Sequence, residues 1–199
     1  MSMYTGLQIV MTLLVLVTLV YVAYRLVCIV QGDMHFVALP TGKAARRKAR
    51  PALPPGAVRF TLEEADRQRL VLTGEISLYN DGKQQGTIMD CFGRAYLPEE
   101  QYPDLQMRVR LTPVDAPRQD GYWEAVLVPA RTGLRTRIEI TIEALRGSLT
   151  DAIADFGKAD FDVLYQVVGR SDWYYDKTRL TLTGEDIRSE WLRKGVAQR

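Results

Sequence analysis

Leu134-Arg135-Thr136-Arg137-Ile138-Glu139-Ile140-Thr141-Ile142-Glu143 alternates apolar and polar side chains without a break. A period of two places Ile138, Ile140 and Ile142 on one face and Arg137, Glu139, Thr141 and Glu143 on the other, the pattern of a half-buried β-strand. Working outward, Leu70, Leu72, Ile76 and Leu78 alternate with polar neighbours such as Glu75 and Ser77. Met107, Val109 and Leu111 likewise face away from Arg108 and Arg110. Residues 86–96, 121–129, 161–168 and 173–183 are rich in the β-branched and aromatic side chains that favour strands. No helical stretch recurs between these segments, which excludes parallel βαβ units. The expected fold is mainly β, an antiparallel β-sandwich, either Ig-like or a small barrel.

Turn chemistry refines that expectation. Asn80-Asp81-Gly82 tolerates positive φ and predicts a hairpin reversal between strands 69–79 and 86–96. Arg131-Thr132-Gly133 predicts another reversal ahead of strand 134–143. Thr61 and Glu64 have capping-box spacing, which predicts one helical turn over 62–68. Short helices are expected at 148–156 and 185–193.

The chain opens quite differently. From Gly6 to Val30 the sole charge is Arg25, and Gln8, Thr12 and Thr18 are the other strongly polar interruptions. Such a stretch makes about 37 Å of helix, enough to cross a ~30 Å hydrocarbon layer with some tilt. Tyr4 at one end and Tyr21, Tyr24 and Arg25 near the other suit the two interfaces. A cleavable signal would need a basic start, a shorter apolar run and a small-residue cleavage site, and these are missing from the pattern.

Residues 43–50 read Lys43-Ala-Ala-Arg46-Arg47-Lys48-Ala-Arg50, five positive charges following the span. A basic flank stays cytoplasmic, so the N-terminus is expected outside and residues 31–199 inside the cell's inner membrane. The expected division is a membrane helix with flanks over 1–31, a basic Pro-rich linker over 32–56, and a cytoplasmic β domain over 57–199. The net charge of +2 separates into +5 over residues 43–50 and −3 over 51–199, where 20 basic residues meet 23 acidic ones. The cluster therefore suits anionic lipid headgroups, at ~1 kcal/mol per Lys or Arg near the surface. The mildly acidic domain argues against nucleic acid.

Catalytic constellations do not emerge from the pattern. The single His, His35, lies just past the span, too far from the domain for a triad, and Cys91 lacks a CxxC partner. Carboxylates such as Asp160 and Asp162 are plentiful but have no metal-loop spacing. Asp155-Phe156-Gly157 stands without the other kinase elements, and Gly82-Lys83-Gln84-Gln85-Gly86 lacks phosphate-loop spacing. No metal, no cofactor and no enzymatic activity are expected.

Arg46-x-x-x-Arg50 ahead of a β domain resembles the arginine pair with which PilZ domains clamp a cyclic dinucleotide. That family also carries an Asp-x-Ser-x-x-Gly element on a following strand. Here Glu75-Ile76-Ser77 is followed by Asn80 in place of Gly, and Asp90-Cys91-Phe92 has Phe in place of Ser. The departure leaves no binding residue to carry over.

Trp173-Tyr174-Tyr175 and Tyr122-Trp123 set large amphipathic rings on consecutive positions, so each face of the strand receives one. Together with Gln8 and Thr12 on the helix, residues 173–175 are the candidate partner contacts. The expected function is a non-catalytic, single-pass accessory subunit of a membrane protein complex, its β domain touching other membrane protein subunits. The alternative is a membrane-tethered sensor domain that binds a cyclic dinucleotide or carbohydrate.

Overall fold

Burial follows the period of two strand by strand in the computed structural model, which describes residues 3–31, 34–40, 57–118, 123–169 and 173–194. Helix α1 (Met3–Gln31) is followed by β1 (Phe36–Pro40), β2 (Thr61–Ala65), β3 (Arg69–Asn80), β4 (Gly86–Tyr96), β5 (Leu105–Pro113), β6 (Val126–Val128) and β7 (Gly133–Ala144). Helix α2 (Leu149–Ala154), β8 (Lys158–Val168), β9 (Trp173–Thr183) and α3 (Gly184–Arg193) complete the order. All strand pairs are antiparallel. One sheet runs β1-β3-β7-β5 with β2 also on β3, and the other runs β6-β4-β8-β9. The described residues show no ladder joining the two sheets, so this is a sandwich and not a closed barrel.

The isoleucines of the deciding stretch lie at the centre. Ile138, Ile140 and Ile142 of β7 are wholly buried beside Leu70, Leu72, Ile76 and Leu78 of β3. From the facing sheet, Phe161, Val163, Tyr165 and Val167 of β8 complete the core. Polar partners on the outer face pair across strands, as in Arg110–Glu139 at 2.7 Å and Arg135–Glu75 at 2.8 Å.

Helix α1, with 29 residues, is about 43 Å long. It is long and apolar enough to cross a membrane over Tyr4–Val27, and that window has no share buried against the rest of the chain.

Three local expectations are corrected. Thr61–Ala65 is a strand, because Leu62 is buried opposite Leu72 and Asp66 ends the segment as a turn residue. The Asp66 carboxylate accepts from the backbone N–H groups of Gln68 and Arg69 at 2.8 and 2.7 Å, which also holds its pKa below the ordinary value. The turn at Asn80-Asp81-Gly82 does not make a hairpin, since β3 and β4 belong to different sheets. The same holds for Arg131-Thr132-Gly133 between β6 and β7, although Arg131 does take a positive φ of 60°. The expected helices near 148–156 and 185–193 are α2 and α3, the latter opened by a reciprocal Thr183–Asp186 capping box.

The segment read as a linker over 32–56 also needs correction at its start. Phe36–Pro40 is a strand of the sheet, running from Phe36 opposite Asn80 to Pro40 opposite Ile76. β2 then resumes on the same side of β3, with Thr61 opposite Thr73. The chain thus leaves β3 at Ile76 and rejoins it at Thr73, about 10 Å further along at ~3.4 Å per residue. The basic residues Lys43, Arg46, Arg47, Lys48 and Arg50 lie outside the described residues. They sit within an insertion between two pieces of one edge, not on a spacer separating helix from domain.

If β1 is part of the core, Phe36→Ala should destabilise the detergent-solubilised full chain. Phe36 is only 1% exposed, and emptying such a site costs about 3–5 kcal/mol. Urea titration followed by near-UV circular dichroism reads this loss. A linker residue would show none.

Candidate interaction surface

Chain connectivity defines one end of the sandwich as the end adjoining α1. From Gln31 to Phe36 there are five Cα spacings, so the two are at most about 18 Å apart. Met34 is buried there, in a slot that two glycines keep open. A Cβ at Gly86 would lie 2.7 Å from its sulfur, and one at Gly169 would lie 2.4 Å from its methyl carbon. The Phe36 N–H donates to the Tyr174 hydroxyl at 3.4 Å, which draws the start of β9 to the start of β1. Asn80, wholly buried, ties the neighbouring loops together by donating to the Gln84 carbonyl at 2.8 Å and accepting from the Gly82 N–H at 3.0 Å.

The outer face of the β6-β4-β8-β9 sheet runs in rows from this end outward. Its first row is Leu127, Thr87, Val168 and Trp173, set side by side by the strand registers. Next come Gln166 and Tyr175 beside Asp90, then Phe92, Leu164 and Lys177. Trp173 is 65% exposed, Tyr175 59% and Leu127 57%. The Trp173 and Tyr175 rings meet edge-on with centroids 6.0 Å apart. One row further stand Arg94, Asp162 and Arg179, all charged.

Asp162 is the one charged side chain of that face withdrawn from water, at 1% exposure. Arg179 donates to both its oxygens at 2.8 and 3.2 Å, and the Tyr96 hydroxyl donates at 3.0 Å. The Arg179 guanidinium holds the Asp162 carboxyl below its ordinary pKa, and Arg179 is raised in turn. Arg94 and Arg179 both lie over the Tyr96 ring, at 5.5 and 5.2 Å from its centroid. The Asp162 carboxylate is satisfied by Arg179 and Tyr96, so the cluster braces the sheet.

Other chemically suggestive residues are also built into the structure. The Cys91 thiol is buried, and burial pushes its pKa well up, which makes it a poor nucleophile. Burial likewise pushes up the Tyr165 phenol, which donates to Asp176 at 3.1 Å. Glu75, from the PilZ comparison, pairs with Arg135, and Asp90 follows the bulge that displaces Met89. His35 is exposed and engaged through its backbone. Among the described residues, no three His, Cys, Asp or Glu side chains gather to hold a metal.

Of the candidate contacts, Gln8 and Thr12 are exposed on α1, where the Thr12 hydroxyl donates to the Gln8 carbonyl at 2.8 Å. Arg25 is exposed near the C-terminal end of the same helix. Trp173 and Tyr175 belong to the exposed face, whereas Tyr174 is half-buried against β1. Tyr122 lies outside the described residues, and Trp123 is buried with its indole N–H donating to the Ile88 carbonyl at 3.3 Å. Sequence reading missed Leu127, Val168, Phe92 and Leu164 as neighbours of Trp173. Only cross-strand register brings them together. At the opposite end, α2 and α3 enclose an apolar crevice of about 220 Å³ lined by Ile153, Ala154, Trp191 and Leu192.

No protein-family model matches the chain, and no curated protein matches it. Among solved structures, the GAE domain of GGA2p from Saccharomyces cerevisiae is similar at 15% identity and a TM-score of 0.33, over 64% of this chain and 88% of that one. A yeast GGA1 GAE domain is similar at 13% identity and 0.31, over 63% and 88%. The CooA pilin subunit from enterotoxigenic Escherichia coli is similar at 13% and 0.34, over 74% and 97%. Likeness at this level carries no argument about what the chain does.

Two outcomes test the bracing cluster and the thiol. Arg179→Met should cost about 2–3 kcal/mol at pH 7, because Asp162 is left buried with only a phenol for partner. A depressed folded-state pKa stabilises above the unfolded value near 4 and loses that effect as pH falls. The stability gap between wild type and variant should therefore close below about pH 4 in urea titrations. In a Cys28→Ser background, Cys91 should resist maleimide until denaturant is added, as mass spectrometry would record.

Proposed function

We propose that this chain is a non-catalytic, single-pass accessory subunit of a membrane protein complex. Its N-terminus lies outside, and its β-sandwich is held on the cytoplasmic side within a few residues of the bilayer. The observation that supports this reading most is the division of labour along the chain. α1 presents its whole Tyr4–Val27 surface outward with no share of it buried, yet Met34 is already part of the domain core. A helix with apolar side chains all round and none used in the domain core gains its stability from lipid or from other helices.

Orientation rests on charge asymmetry. Arg25 stands near the C-terminal end of the span and the cluster 43–50 follows it, whereas the residues ahead of Gly6 carry no Lys or Arg. Gln8 supports contact with a neighbouring helix, since an amide inside hydrocarbon is stabilised by a partner across a helix pair, at roughly 1 kcal/mol. Thr12 and Thr18 need no such partner, because their hydroxyls donate to the carbonyls four residues earlier.

The expected result of affinity purification in mild detergent is a set of membrane chains recovered with this one. Replacing residues 7–20 by leucines should keep the chain in the membrane but lose those partners. Protease added outside intact cells should leave a C-terminal tag uncut. Recovery of this chain alone, or removal of the tag, would overturn the reading.

A further inference from the structure

We propose that the near end of the β6-β4-β8-β9 face is a lipid-docking surface, with Trp173, Tyr175 and Leu127 seated in the headgroup region of the membrane that α1 crosses. The inference rests on the membrane-anchored reading and adds to it a second, reversible attachment. Three independent observations select lipid as the occupant. The first is reach. Trp173 and Tyr175 flank Tyr174, whose hydroxyl meets the Phe36 backbone, and Phe36 stands at most about 18 Å from the last residue of α1.

The second is composition. Indole and phenol side chains with an apolar body and a polar edge concentrate at membrane–water interfaces, and Leu127 and Val168 beside them supply further apolar area. The third is the distribution of charge. Leu127, Thr87, Val168 and Trp173, at the end adjoining α1, carry no charged side chain, whereas each of the next three rows does, in Asp90, then Lys177, then Arg94, Asp162 and Arg179. Charge on this face thus begins one row away from the end that adjoins the membrane helix.

Docking would also hold the domain in one attitude. The chain joins helix and domain through one covalent connection, and a contact made by the rings on β9 would add a second fixed point on the same membrane. The surface is small, and a few exposed side chains give weak attachment that a neighbouring subunit could displace.

The test uses the full chain in nanodiscs, since α1 is part of the geometry. The chain holds three Trp, of which Trp123 is buried and Trp191 half-buried at the far end. Subtracting the emission of Trp173→Phe from that of wild type isolates Trp173. In nanodiscs of phosphatidylcholine and phosphatidylglycerol, Trp173 should emit toward the blue and resist iodide. With brominated acyl chains it should lose roughly half its intensity, as expected for a ring at the interface. Red-shifted emission that iodide quenches and brominated lipid does not would overturn the proposal. Shielding from iodide that appears only with co-purified subunits, still without quenching by brominated lipid, would reassign the face to protein and equally overturn it. Failure of the chain to enter nanodiscs removes the anchored reading itself, and this is a separate result from an anchored chain whose Trp173 faces water.

Discussion

The insertion of Met34 between Gly86 and Gly169 is the constraint on which the arrangement depends. The slot is deep because neither glycine presents a Cβ, and any side chain there would collide with the methionine. It also lies where three pieces of chain converge, the start of β1, the start of β4 and the end of β8. A residue three positions beyond α1 is therefore locked into the sandwich, which limits the connection between core and helix to two residues. Packing interiors at crystal-like density makes such a slot unforgiving. The same feature that completes the core sets the distance between core and span.

The sandwich around that slot is woven, not folded hairpin by hairpin. Each connection from β3 through to β8 passes from one sheet to the other, and only β2–β3 and β8–β9 pair with their sequence neighbours. Stability is then shared among non-local contacts, which favours one cooperative unit over separable hairpins. Asn80 illustrates the cost of such crossings. A connection turning between sheets exposes backbone polar groups in the interior, and its buried amide satisfies them from several directions at once.

Strand positions were legible wherever alternation ran for several residues, as in 134–143, because one face had to be buried and a slip of one residue would reverse it. What the sequence could not show was who pairs with whom. Asn80-Asp81-Gly82 and Arg131-Thr132-Gly133 carry genuine turn chemistry, but turn chemistry is local and does not say in which sheet the next strand lies. Thr61 and Glu64 have the letters of a helix start, yet Leu62 opposite Leu72 outweighed that propensity. Phe36–Pro40 was hidden by its brevity and by the proline and arginines after it. Of the surface, Trp173 and Tyr175 could be picked out as residues, whereas the apolar row they join exists only after β4, β6, β8 and β9 are set in register.

The split edge strand changes what the basic cluster can do. On a free spacer, five charges would wander up to tens of ångströms from the domain, and attraction to anionic lipid fades over a Debye length of about 8–10 Å. As an insertion rooted at Pro40 and Thr61, the same charges are tethered at both ends to one edge of the sheet. That root lies only four residues along β1 from Phe36, about 13 Å at strand spacing. Tyr174 of β9 binds the Phe36 backbone, so the aromatic face adjoins the start of β1, the end of that strand away from Pro40. Pro40 thus stands further from Phe36 than a Debye length, so a bilayer contact at Trp173 does not by itself bring the root of that insertion within range of headgroup charge.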